Sequence, residues 1–216
     1  MSLKQYREKR NFKTSPEPQG TFKDHKQEKA KPDLIFVVQK HRASQLHYDF
    51  RLEYNGTLLS WAVPKGPSLD PSVKRLAMQV EDHPIDYAKF EGVIPKGEYG
   101  GGTVMVWDIG TWTPEHSDVE AALNKGDLKF TLHGKKLRGS WVLVRTRGFG
   151  GSSKPTWLLI KHRDKYATDV DITATEPKST LSRRLLADIA KENGGDVEEA
   201  ATGDPARPKA RKAASP

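Results

Sequence analysis

Hydrophobic and polar residues alternate along much of the chain with the period of two that a half-buried strand requires. From His47 to Tyr54 the alternation is strict. His47, Asp49, Arg51 and Glu53 share one face, while Tyr48, Phe50, Leu52 and Tyr54 share the other. Asn55-Gly56 follows, a dipeptide suited to the two positive φ angles of a tight hairpin turn, and Leu58 to Val63 reads as the returning strand. A short β-branched run, Leu34 to Val38, precedes the hairpin and ends near His41. Arg75 to His83 alternates again, with Leu76, Met78 and Val80 opposite Arg75, Glu81 and His83.

Further strands are predicted at Thr103 to Ile109, Leu128 to Leu132, Ser140 to Arg145 and Trp157 to Lys161. Two helices are predicted: Val119 to Asn124, and a last one after Ser179 with Leu181, Leu185, Leu186 and Ile189 as its apolar stripe. Gly97 to Gly102 lacks the Lys-Ser/Thr ending of a P-loop and reads as a hairpin or lid. Trp61, Trp107, Trp112, Trp141 and Trp157 fall in strand contexts and are expected in the core rather than stacked on bases. Short strands between Gly/Pro turns, with no internal repeat and no doubly wound pattern, predict a mainly β fold: a barrel-like domain or a sandwich with a few short helices.

Composition changes this picture mainly at the two ends. Residues 1–31 hold nine Lys/Arg against four Asp/Glu, with Leu3, Tyr6, Phe12 and Phe22 as scattered anchors. They predict a flexible basic arm that packs by its aromatics or lies along a phosphate backbone. The barrel is expected over 32–176, a C-terminal helix over 177–193, and a disordered tail over 194–216, which is rich in Ala, Pro, Gly and charge. The formal charge of +8 points to polyanions such as nucleic acid as the partner class. No apolar run is long enough for a transmembrane helix, and Met1 to Arg10 lacks the apolar core of a secretory signal. With no cysteine in the chain, disulfides and thiolate ligands are excluded, and His and carboxylates are left as the strong metal ligands. A cytoplasmic protein, associated with the nucleoid, is the expectation.

The sharpest chemical feature is His41, His47 and Asp49. His47 and Asp49 are two apart on one strand face, and His41 can close a third position around a divalent ion from the adjacent turn. The alternative is a set of surface polars on a half-buried strand. Arg51 follows on the same face, and Arg75, Glu81 and His83 sit on a second alternating strand. Guanidinium forks suit phosphate oxygens, and a metal beside them would polarise a phosphoryl group. His25, His116, His133 and His162 have no partner spacing and are expected on the surface.

Several stretches in fixed order carry a resemblance. Phe36-Val37-Val38-Gln39-Lys40-His41, His47-Tyr48-Asp49-Phe50-Arg51-Leu52-Glu53, Trp61-Ala62-Val63-Pro64-Lys65-Gly66-Pro67, Glu81-Asp82-His83-Pro84 and Ile94-Pro95-Lys96-Gly97-Glu98-Tyr99-Gly100 resemble the 3′-phosphoesterase domain of bacterial DNA ligase D. The resemblance runs from about Leu3 to Lys165. It implies a manganese-dependent enzyme that trims DNA 3′ ends on a primer–template. A phosphodiesterase step removes a terminal ribonucleoside, and a phosphomonoesterase step then leaves a 3′-hydroxyl for a ligase. Carried onto this chain, the implied metal ligands are His41, His47 and Asp49. The implied catalytic group is Arg51, His83 and Tyr87, with Lys65, Arg75 and Glu81 in support.

Arg10 and Glu17 match positions used in the monoesterase step. The family's usual Asp after that Arg is Asn11 here, which predicts a weakened second step unless Asn11 only caps the backbone. Because the chain ends after this domain, it is expected to stand free and to rely on a separate ligase and end-joining proteins. Two other readings compete: a two-His-one-carboxylate iron oxygenase, and a DNA-end binding module without catalysis.

Overall fold

The computed structural model describes residues 3–20, 33–146 and 155–206. Nine strands follow a short helix α1 (Leu3–Glu8). They are β1 (Leu34–Arg42), β2 (Leu46–Tyr54), β3 (Thr57–Val63), β4 (Lys74–Pro84), β5 (Gly92–Ile94), β6 (Gly102–Pro114), β7 (Asp127–Gly134), β8 (Arg138–Arg145) and β9 (Thr156–Lys161). A 3-10 turn, Ile85–Lys89, follows β4, and α2 (Val119–Lys125) joins β6 to β7. The helices α3 (Ile172–Thr175), α4 (Leu186–Glu192) and α5 (Val197–Ala201) complete the order.

Eight antiparallel strands close a barrel in the order β1-β2-β3-β4-β9-β8-β7-β6, with β1 pairing back onto β6 and β5 added at the end of β6. Closure leaves the barrel strands without a free edge, as a sheet curled on itself requires. The β2–β3 hairpin forms around Asn55 (φ 50°) and Gly56 (φ 75°), both in the left-handed region that this turn demands. That turn sets the register: Tyr54 opposite Thr57, Phe50 opposite Trp61, Arg51 opposite Ser60.

The barrel interior is filled by Phe36, Val38, Tyr48, Phe50, Leu52, Trp61, Trp107, Phe130, Trp141 and Trp157, among others. All five tryptophans are buried. Trp107, Trp112 and Trp141 donate their indole N–H to backbone carbonyls, which keeps a polar atom tolerable in this setting. A second cluster lies on the outside of the wall, where Tyr6 of α1 and Tyr87 and Ala88 of the 3-10 turn cover Val37, Leu58 and Val106. Residues 3–20 of the N-terminal arm are therefore packed, and the Tyr6 hydroxyl donates to the Pro18 carbonyl at 2.6 Å. Phe22 and His25 lie outside the described residues.

The C-terminal region departs from expectation. A helix from Ser179 onward does not form, because Leu181 and Ser182 donate their N–H groups to the Ser179 hydroxyl and Arg183 takes a left-handed φ of 64°. Leu181 is exposed, and the helix begins only at Leu186. The segment expected to be a loose tail from Gly194 onward instead forms α5, with Ala200 buried against α4. Asp204 then accepts the N–H groups of Leu186 (3.1 Å) and Ala187 (2.9 Å), capping α4. Small side chains and a cap make these contacts, so no large apolar periodicity announces them. The rest of the predicted tail, 207–216, lies outside the described residues.

Candidate metal centre

Alternation on β1 and β2 sends Val37, Gln39 and His41, with His47, Asp49 and Arg51, to the outside of the barrel wall. Their cross-strand partners agree: His41 faces His47 and Gln39 faces Asp49. His41 Nδ1 lies 3.7 Å and His47 Nε2 3.8 Å from Asp49 Oδ2. One ligand atom from each of the three residues falls within 4.8 Å of the others. Two donors each about 2.1 Å from one ion stand up to about 4.2 Å apart, so both carboxylate separations suit a shared ion.

The donor set also fits. The His47 Nδ1 hydrogen is directed at the Gln45 carbonyl, 3.0 Å away, which leaves the Nε2 lone pair facing Asp49. His41 turns Nδ1 toward Asp49, so that nitrogen is the one placed to share an ion with it. Burial alone would raise the Asp49 carboxyl, but Arg51, His47 and His41 overcome it and hold the group ionised, far below the usual carboxylate range. Burial pushes the His41 imidazole down despite Asp49, keeping it neutral as a ligand must be. These residues can hold a metal ion.

Beside the cluster lies a buried polar network. Arg51 donates from Nε to Gln39 Oε1 (2.9 Å) and from Nη1 to the Ser60 hydroxyl (2.8 Å), while its Nη2 lies 3.1 Å from Asp49. Its Nη1 is also 2.8 Å from His83 Nδ1. From the arm, Arg10 Nη2 reaches His83 Nε2 at 3.2 Å, so one imidazole is flanked by two guanidiniums. Burial, then Arg51 and Arg10, drive the His83 pKa well down, and the ring is neutral. Arg10 is itself oriented by Glu17 (2.8 Å) and Glu81 (3.2 Å). Tyr87 donates its hydroxyl to Glu17 at 3.0 Å, and burial together with the Glu17 charge raises its pKa well above the ordinary phenol value.

The structure thus gathers His41, His47, Asp49, Arg51, His83, Tyr87, Arg10, Glu17 and Glu81. It does not bring Arg75 or Lys65 into the network. Arg75 pairs with Leu159 and lies two residues from Ala77, so it shares the interior face. The cause is a bulge: Ser60 faces Val80 but Leu58 faces His83, and the extra residue on β4 reverses its alternation before Glu81 and His83. Lys65 is exposed beyond the end of β3 and bonds to no described residue. Of the four histidines expected at the surface, His133 is exposed and His116 and His162 are partly buried.

Three participants went unread in the sequence. Ser60 was readable, since the Asn55-Gly56 turn pins it opposite Arg51. Gln39 shares the His41 face and also ties the 3-10 turn down by donating to the Tyr87 (3.0 Å) and Phe90 (3.1 Å) carbonyls. Lys9, bonded to Glu81 at 3.0 Å, left no signal beyond general basicity. Asn11 takes no part in orienting Arg10. Its side-chain oxygen accepts the Lys13 N–H at 3.1 Å, a local turn within the arm, so a carboxylate there is not what positions the guanidinium.

Comparison with known proteins gives this site a context. The family model described as the DNA Ligase D 3'-phosphoesterase domain matches residues 39–145. A "Multifunctional non-homologous end joining protein LigD" from Pseudomonas aeruginosa is 53% identical over 188 residues, covering 85% of this chain and 22% of the relative. A "Multifunctional non-homologous end joining DNA repair protein LigD" from Mycobacterium tuberculosis is 45% identical over 152 residues, covering 68% of this chain and 18% of the relative. The chain spans about a fifth of the length of these curated relatives. The match spans β1 to β8, the strands that carry the histidines, the carboxylate and Arg51, and on it the chain belongs to the DNA ligase D 3′-phosphoesterase domain family.

Proposed function

We propose that the chain is a manganese-dependent phosphoesterase that heals DNA 3′ ends in non-homologous end joining. It would remove a 3′-terminal ribonucleoside and then the remaining 3′-phosphate, leaving a 3′-hydroxyl for a ligase. The observation that carries this reading is the contact of a His-His-Asp cluster with the buried Arg51 guanidinium, which shares His83 with a second buried guanidinium, Arg10. Lys9, Arg10 and Arg51 balance Glu17, Asp49 and Glu81 in formal charge. Adding a dication leaves a surplus of +2, which matches a terminal phosphate dianion.

His41, His47 and Asp49 would hold the ion. When bound, it would supply Lewis-acid polarisation of the phosphoryl group. Arg51 and Arg10 would take non-bridging oxygens and stabilise charge as it develops. Both are obligate donors aimed at His83, and a neutral imidazole can accept only one of them, so an arriving phosphate oxygen would relieve the mismatch. A bound dianion would also raise the His83 pKa, letting Nε2 hold a proton near the leaving oxygen. Tyr87 stays protonated, and its bond to Glu17 fixes the carboxylate that orients Arg10.

The test is a labelled primer–template ending in one ribonucleotide, incubated with manganese or with chelator. Expected are a manganese-dependent 3′-phosphate product and then a 3′-hydroxyl product. No manganese-dependent processing of either end would overturn the proposal and favour a non-catalytic end-binding module.

A further inference from the structure

Among the described residues, Tyr99 is one of five large hydrophobic residues left exposed, at 43%. It stands in the Gly-rich loop between β5 and β6, which the arm holds on one side and which runs close to His41 on the other. Thr14 of the arm donates to Glu98 at 2.5 Å, and Gly100 approaches the His41 ring, where an added Cβ would lie 3.7 Å from Cε1. The ring is backed by cations: Lys9 Nζ is 4.7 Å and the Arg10 guanidinium 5.5 Å from its centroid, and Lys9 also donates to its hydroxyl at 3.3 Å. The loop therefore carries a partly exposed aromatic ring held by Arg10, which bonds His83, and by Lys9, which bonds Glu81. Neither burial nor core packing accounts for an aromatic in this position, since its contacts are polar and cationic.

We propose that Tyr99 is a stacking platform for the 3′-terminal base of a DNA end whose phosphate sits at Arg10, Arg51 and His83. The inference rests on the phosphoesterase reading and names the part of the substrate that one residue recognises. A base lies one sugar away from its phosphate, and the ring lies one side chain away from Arg10. Stacking on an aromatic is indifferent to base identity, which suits an enzyme that must accept any terminal nucleotide. Cations behind the ring hold it in place and draw the polyanionic strand toward it.

The experiment uses the full chain with chelator present, so that binding is read without turnover. The probe is a primer–template with 2-aminopurine as its 3′-terminal base. In wild type and Tyr99→Phe, binding should quench the fluorescence. Tyr99→Ala should lose the quench and bind about tenfold more weakly, within the range for a single base–aromatic stack. An abasic 3′ end should bind wild type and Tyr99→Ala equally. Retention of the quench in Tyr99→Ala would overturn the inference and place the base elsewhere, such as the neighbouring groove of about 730 Å³ lined by Arg42, Ser44, Pro95 and Asn193. Loss of the quench in Tyr99→Phe as well would overturn it too, since the hydroxyl and its bond to Lys9 would then be what matters. A wild-type chain that binds no DNA end under any salt condition would instead count against the phosphoesterase reading itself.

Discussion

The two faces of β2 are made of alternate residues of one strand, yet they are held by different physics. Tyr48, Phe50 and Leu52 point into the barrel and are fixed by packing against other apolar groups. Asp49 and Arg51 point outward and are also buried, but each is held by named charges and hydrogen bonds. Removal from the inner face leaves a cavity, whose cost falls on stability. Removal from the outer face leaves an orphaned partner, whose cost falls on the site. The outer face needs a cover to be buried at all, and the arm and the 3-10 turn supply it.

The strongest way to break this comparison is Phe50→Ala. Phe50 is 1% exposed and packs on Phe130 at 5.8 Å, so the change should cost about 3–5 kcal/mol in a denaturant titration. Activity per folded molecule should be preserved; a folded but inactive variant would show that the faces are not separable. Next comes His47→Ala, expected to lower manganese-dependent end processing about a hundredfold, roughly 2.7 kcal/mol, with the melting temperature unchanged. Wild-type activity at limiting manganese would end the ligand assignment.

Titration sharpens the contrast further. His83 has a folded pKa well below its unfolded value of about 6.5, so the unfolded chain binds the extra proton first. Its contribution to stability is full above that pH and is lost as pH falls below it, at up to roughly 1.4 kcal/mol per pH unit. In metal-free protein, His83→Gln should flatten the stability–pH curve between about pH 5 and 6.5, whereas Phe50→Ala should lower it evenly. An unchanged slope in His83→Gln would mean that the imidazole is not held neutral. The smallest effect is expected from Asn11→Asp, less than about twofold on either end-processing step. Asn11 bonds within the arm and Arg10 takes its orientation from Glu17 and Glu81. A selective gain in phosphate removal would restore the carboxylate role that the sequence suggested.

Legibility followed the range of the interaction. His47, Asp49 and Arg51 could be placed on one face because strand period is local, and Ser60 could have been placed opposite Arg51 because a two-residue turn fixes register. Gln39 could not be aimed the same way, since the β1–β2 connection carries no such turn signal. The packing of Tyr6 on Val37, Leu58 and Val106, the bond of Arg10 to His83 and the packing of Leu186 and Ala200 with Met105 depend on contacts between segments far apart in the chain.

The sequence by itself determined the eight barrel strands, the tight hairpin, the buried tryptophans and the grouping of His47, Asp49 and Arg51. Each follows from alternation or from a turn residue's φ, which are properties of a few neighbouring residues. Only the tertiary structure decided that Arg75 faces the interior while Glu81 and His83 face the site, because one bulged residue on β4 reverses the alternation without altering local hydropathy. It alone decided that Arg10 and Glu17 reach His83 and Tyr87, because that contact exists only once the barrel wall presents both to the packed arm.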